Sequence, residues 1–258
     1  MFDFTTRYLA SVFLDAQSIV TNSENMVNIV EKVLRPNENV EWIHIPILES
    51  LQPDASPRMG FTSLNGEWRL ILASTRFDLM KHLIDPKQSN MGEFSDFCER
   101  VYPILNALLA MFKRKGYRLS AVQEGLLPVM SEAQMQAIAM RLLNLPATFS
   151  SSSPFEWDWR VASLIERPVA KRMEPTNTII TIKRLAVKTS DRDDTEPVDR
   201  IRVDLDINTS HKKTAVRFGK AEVTAFFKSV GSWHTQLAKE VSSFLRVGGR
   251  HEYESHKQ

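Results

Sequence analysis

The sequence predicts an α+β fold made of two structurally similar units, packed as one pseudo-symmetric body. Three observations carry that expectation. Two long amphipathic segments, near 92–115 and 219–246, have a 3-4-3-4 apolar stripe. Each follows a run of short alternating or β-branched stretches of the kind that form antiparallel strands. The order strand, helix, two or three strands, long helix occurs twice, which divides the chain into units 1–116 and 117–247 and a disordered tail 248–258.

In the first unit, 7–16 (RYLASVFLDA) reads as a strand. Asn22 or Ser23 caps a short helix with Met26, Val27, Val30, Val33 and Leu34 at helical spacing, ended by Pro36 and Asn37. Over 40–48, Ile43, Ile45 and Ile47 alternate with Trp42, His44 and Pro46, a strand placed near an edge because proline lacks a ladder donor. LQPDASP is a loop. Asn65-Gly66, between MGFTSL and EWRLILASTRFDL, signals a hairpin. The first long helix buries Phe94, Phe97, Cys98, Val101, Leu105, Leu108, Leu109 and Phe112; Pro103 interrupts one of its bonds, and Lys113-Arg114-Lys115-Gly116 closes it with glycine at C′.

The pattern then restarts. YRLSAVQEGLLPV is a strand, and Ser131 caps a helix over SEAQMQAIAMRLLN. SSSSP is a loop, 155–168 a strand, and MEPTN a lead-in to the strand NTIITIKRLAVK. The turn TSDRDDTEPV joins that strand to DRIRVDLDIN. There Ile201, Val203, Leu205 and Ile207 face inward, and Arg200, Arg202, Asp204, Asp206 and Asn208 face water or a polar partner. The closing helix carries Val223, Phe226, Phe227, Val230, Trp233, Leu237, Val241 and Phe244 on its stripe.

Composition narrows the function class. A net charge of +2 does not demand an anionic partner, and residues 1–117 carry 12 Lys/Arg against 14 Asp/Glu, the remainder 21 against 17. Cys98 is the single cysteine, which rules out an intrachain disulfide and a cysteine metal cluster and fits a cytoplasmic protein. Asp3 precedes any cationic residue and Asp15 interrupts the first apolar run, so no secretory signal is expected. No apolar stretch approaches membrane-spanning length.

Catalytic signatures are missing. The histidines, His44, His82, His211, His234, His251 and His256, have no zinc-binding spacing, and no phosphate-cradling or nucleophile-elbow glycine motif occurs. Asp204-x-Asp206 can ligate a divalent cation, but Arg200 and Arg202 on the same strand face favour charge pairing instead. No cofactor is expected. The binding candidates are Lys183, Arg184, Arg200, Arg202, Lys212, Lys213 and Arg217, expected to gather around one sheet edge with Lys188, His211 and Lys220, together with His234 on the last helix. Interleaved aspartates and the lack of stacking aromatics weaken a nucleic-acid reading of that cluster.

The succession GEWRLILASTRFDL, a helix opening on aromatics, YRLSAVQEGL, RVDLDIN and SWHTQLAKEVSSFL resembles a sporadically distributed prokaryotic family of conserved hypothetical proteins, over residues 1–245. Arg118 matches the arginine opening that family's second-unit strand, and His234 its last-helix histidine. Val122 and Gly125 stand where the family has a second arginine and an asparagine. The resemblance implies no enzyme activity and no catalytic residues, and its patchy occurrence implies mobile, defence or toxin–antitoxin cargo.

These readings converge on a non-enzymatic interaction subunit: a partner, inhibitor or sensor that binds another protein or itself as a homodimer through a sheet edge or helix face, and not a membrane. Nucleic-acid binding through the basic residues is the alternative, and a metal-dependent hydrolase using Asp204 and Asp206 ranks last.

Overall fold

A computed structural model describes residues 1–37, 40–45, 57–85, 91–146, 149, 154–187 and 198–245. The loop residues 51–56, the serines 150–153, most of the turn 189–198 and the tail 248–258 lie outside the described residues, as do Lys188, His251 and His256.

Among the described residues the chain folds as mixed α+β around a nine-stranded antiparallel sheet, ordered β2-β3-β4-β5-β1-β6-β9-β8-β7. The strands are β1 (Phe4–Phe13), β2 (Trp42–Ile45), β3 (Pro57–Ser63), β4 (Trp68–Ala73), β5 (Arg76–His82), β6 (Arg118–Leu126), β7 (Trp157–Val169), β8 (Arg172–Val187) and β9 (Val198–Thr209). Helix α1 starts at Ser23–Ile29, continues as a π-helical turn Val30–Leu34 and finishes at Arg35–Asn37; α2 is Phe94–Met111, α3 Glu132–Leu142 and α4 Lys220–Leu245. The first strands of the two sequence units, β1 and β6, pair with each other, with Ser11 opposite Ser120. Their other neighbours, β5 and β9, are the last strands of the same two units.

Alternation decides the two faces of this sheet. On one, Tyr8, Ala10 and Val12 of β1, Leu70 and Leu72 of β4, Phe77 and Leu79 of β5, Leu119 and Ala121 of β6, and Ile201, Val203, Leu205 and Ile207 of β9 form a buried floor. Helices α2 and α4 lie on that floor and pack against each other, Gly231 sitting so close to Ser95 that an added Cβ would be 3.0 Å from its Cα. The Trp68 and Phe97 rings stack at 5.7 Å, and Tyr8 meets Phe94 edge-on at 5.0 Å. Helix α1 docks on α2 and β2, and α3 is tied to α4 by Arg141, which donates to the Phe244 carbonyl at 3.0 Å. Among the described residues no helix covers the other face.

Local expectations hold where short-range chemistry governs. Asn22 accepts from the Asn25 amide at 2.9 Å as the α1 cap, Ser131 and Gln134 form a reciprocal capping box, and Gly66 takes φ 75° in the β3–β4 turn. Four details differ. In α1, Val27 is exposed and Ile29 buried, because the π turn shifts the phase of the stripe. Helix α2 ends before Gly116: Lys113 is the left-handed residue at φ 52°, and the Arg114 amide donates back to the Leu109 carbonyl at 2.8 Å. MEPTN is strand, not lead-in, since β7 and β8 meet in a tight turn at Ala170-Lys171. On α4, His234 and Leu245 are buried, while Trp233 is half-buried and Phe244 is exposed.

Candidate functional site

The sheet face away from the helices gathers the chemistry-bearing side chains, and their geometry is one of mutual satisfaction. Ser11 Oγ donates to Asp78 at 2.6 Å, and Arg76 holds the other oxygen of that carboxylate at 2.7 Å. On the β6 side, Ser120 Oγ and Asn208 Nδ2 each donate to Asp206 at 3.0 Å, and Asn177 donates to Asn208 at 2.9 Å. This polar row crosses from β5 to β8 and is lined along β1, β6, β9 and β7 by the ion pairs Arg7–Glu124, Arg202–Asp204 at 2.9 Å and Lys183–Asp158 at 2.6 Å. Burial pushes the carboxyls of Asp204 and Asp206 above the usual aspartate range; Glu124 adds to that effect at Asp204, and Arg202 opposes it.

The outward residues of β9 are therefore not a solvated stripe. Arg200 and Asn208 are buried, and Asp204 and Asp206 are half-buried. Among the described residues, no group of three or more His, Cys, Asp or Glu side chains stands where it can hold a metal ion.

The basic candidates do not form one patch. Strands β8 and β9 are interior; β7 is the edge. Lys183 and Arg202 sit opposite each other on the helix-free face, each already paired with an aspartate. Arg184, one residue on, points to the helix side, where it is buried against Glu132 at 2.6 Å and Asp199 at 2.7 Å. Arg200 is buried against Asp3 at 2.7 Å and donates to the Leu127 carbonyl at 2.6 Å. At the opposite end of the strands, Arg217 binds the Tyr117 and Lys213 carbonyls at 2.6 Å each and Glu174 at 3.3 Å. Lys212 and Lys213 are exposed on the turn after β9. His234 is fully buried under α4, its Nε2 hydrogen-bonded to the Ala121 carbonyl at 3.1 Å. Burial pushes its pKa down to about 3, Arg167 acting the same way and the Ala121 hydrogen bond opposing. Cys98 is likewise buried, and desolvation raises its thiol.

The surface that composition did not single out is the open edge of β7. Among the described residues this strand pairs only with β8. Its middle, Val161-Ala162-Ser163-Leu164-Ile165, is uncharged and exposed on both faces, with Leu164 at 57%. Beside it, Trp159, Ile180, Leu237, Val241 and Phe244, with Glu240, line a mostly apolar cleft of about 130 Å³ between β7, β8 and α4. That volume is well short of the roughly 300 Å³ at which small-molecule sites begin. The sequence signal was present as an uncharged run between Arg160 and Glu166, but which strand forms an edge depends on long-range order.

No protein-family model matches the chain, and no curated protein matches it. Among the described residues no helix is long and apolar enough to cross a membrane.

Proposed function

We propose that this chain is a non-enzymatic interaction subunit whose docking element is the open edge of β7. The observation that carries the reading is a long edge strand with an uncharged, exposed centre. Such an edge offers a row of backbone donors and acceptors to an incoming strand, and the exposed Val161, Leu164 and Ile165 add apolar contact on both faces. Groups that catalysis would recruit are engaged elsewhere: His234 and Cys98 are buried in the core, and Asp204 and Asp206 are held by Arg202, Ser120 and Asn208.

In this proposal the two units, 1–116 and 117–247, form one pseudo-symmetric body whose axis runs between β1 and β6. In support, β5 and β9 flank them as the last strands of their respective units, and β1 and β6 pair antiparallel with Leu9 opposite Val122 near the middle of the ladder. The single buried thiol fits a reducing cytoplasm. The resemblance to a patchily distributed prokaryotic family suggests a partner, inhibitor or sensor role in a defence or toxin–antitoxin-type locus. Nucleic-acid contact, the alternative, has less to draw on, because Lys183, Arg184, Arg200, Arg202 and Arg217 already face carboxylates.

Affinity-tagged protein recovered from its host, with mass measured on the eluted complex, tests the edge. Leu164→Lys is expected to release whatever strand is docked there, since a lysine on an edge opposes pairing. A chain that is monomeric and retains nothing overturns the reading, and so does a Leu164→Lys variant that keeps its assembly.

A further inference from the structure

We infer that the strand docked on this edge is the β7 of a second copy, paired antiparallel about a two-fold axis through Ser163. The inference rests on the edge reading above and adds the identity of the partner and the register. In a continuous sheet, residues opposite each other must point to the same face, so a self-paired strand has its axis on a residue. Near the middle of β7 there are three choices.

An axis on Ala162 sets Asp158 against Glu166 and Arg160 against Leu164. An axis on Leu164 sets Val161 against Arg167, Ala162 against Glu166 and Arg160 against Pro168. An axis on Ser163 sets Arg160 against Glu166, Val161 against Ile165 and Ala162 against Leu164, each twice by symmetry. It also sets Trp159 opposite Arg167, whose guanidinium lies over the Trp233 ring of its own chain at 4.7 Å. Only the Ser163 axis matches charge with charge and apolar with apolar.

Among the described residues the charges that this register unites form no ion pair, Arg160 acting on Asp206 only at longer range. Across β8, Arg160 faces Thr181 and Glu166 faces Pro175, and neither residue is in an ion pair among the described residues. Both are exposed. On the helix side of the paired edge, Val161 and Ile165, each 42% exposed, come together from both copies. They extend the apolar cleft beside Trp159 and Phe244. A second copy satisfies the backbone edge, the apolar centre and the flanking charges at once.

Charge exchange tests the register. Sedimentation equilibrium of the full chain should give twice the 29.5 kDa monomer mass. Arg160→Glu alone sets like charges opposite each other at two symmetric positions, as does Glu166→Arg alone, and each should weaken the dimer by about tenfold or more. In a mixture of the two single variants, the carboxylate introduced by R160E faces the guanidinium introduced by E166R. The native Glu166 of the first chain then faces the native Arg160 of the second, so the mixture should dimerise again. The double variant R160E/E166R should do the same. The self-pairing is overturned by a monomeric wild type, by single variants that dimerise unchanged, or by a mixture no tighter than its components. If a single variant folds poorly, amide exchange across 160–166 of the wild type decides instead: protection must rise with protein concentration. A monomeric wild type whose host complex is still lost on Leu164→Lys overturns only the self-pairing and leaves the edge reading standing.

Discussion

Acidification should destabilise this protein through His234, by an amount that can be isolated from everything else that titrates. The imidazole is fully buried, its ring centroid 4.2 Å from that of Phe94, and Nε2–H donates to the Ala121 carbonyl on the central strand β6. Nδ1 is buried with no partner among the described residues, so a second ring proton would have nowhere to donate. With the folded pKa lowered to about 3 from 6.5, the unfolded chain binds a proton between those values and the folded chain does not. The stability difference is therefore fully present above 6.5 and is lost as pH falls toward 3. At about 1.4 kcal/mol per pH unit, moving from neutrality to pH ~4 removes roughly 3 kcal/mol. That is a large part of a typical stability of about 5–15 kcal/mol. Urea unfolding of wild type and His234→Gln across this range measures it. The glutamine amide can still donate to Ala121 but does not titrate, and His82 and the carboxylates are common to both proteins and cancel. The wild-type minus variant difference should fall by roughly 3 kcal/mol on acidification. A flat difference, or an imidazole titrating near 6.5 in the folded protein, would refute the argument.

Two backbone predictions are independent of that site. Lys113 occupies the left-handed C′ position of α2 at φ 52°, so Lys113→Gly should raise the unfolding free energy by about 1 kcal/mol in thermal or urea melts; no gain, or a loss, would show that the lysine side chain contributes more than its conformation costs. Gly116 lies where a Cβ would come within 2.7 Å of Val12 Cγ1 and 3.2 Å of the Phe13 carbonyl, so Gly116→Ala should cost about 1–3 kcal/mol in the same melts. An unchanged midpoint would mean that β1 moves aside freely.

The contrast between these two positions shows what the sequence could and could not reveal. Glycine at the end of a basic helix reads as a C′ residue, yet Gly116 is needed for a close approach: its amide bonds the Phe218 carbonyl at 2.8 Å while its α-carbon lies against β1. The helix stops earlier because Lys113 and Arg114 complete the terminal hydrogen bonds there. Alternation in β9, the Asn65-Gly66 turn and both long helices are legible because each depends on residues near in sequence. MEPTN misleads because Pro175 looks like a breaker; it lies one residue past the β9 ladder, where its missing donor interrupts none of the β8–β9 pairs. The basic cluster misleads for a different reason. Lys183 and Arg184 are neighbours in sequence and therefore point to opposite faces, and proximity in the chain conceals that separation.

The two ends of the sheet are treated differently, and that difference bears on function. At one end the described part of β2 is four residues long, and a short strand is one of the devices that keep a sheet edge from recruiting strangers. At the other, β7 is thirteen residues long, and its centre presents Val161, Leu164 and Ile165 with no charge among them. A chain under selection against edge-to-edge association would be expected to blunt both ends. Keeping Arg160 and Glu166 just outside the apolar run is a narrower device: it leaves the edge open to a strand carrying the complementary charges and opposes most others. The strand with those charges in that spacing is β7 itself. If the charge-exchanged mixture fails to reassociate, this asymmetry needs another explanation, and a foreign strand with acidic and basic residues in the matching order becomes the partner to seek.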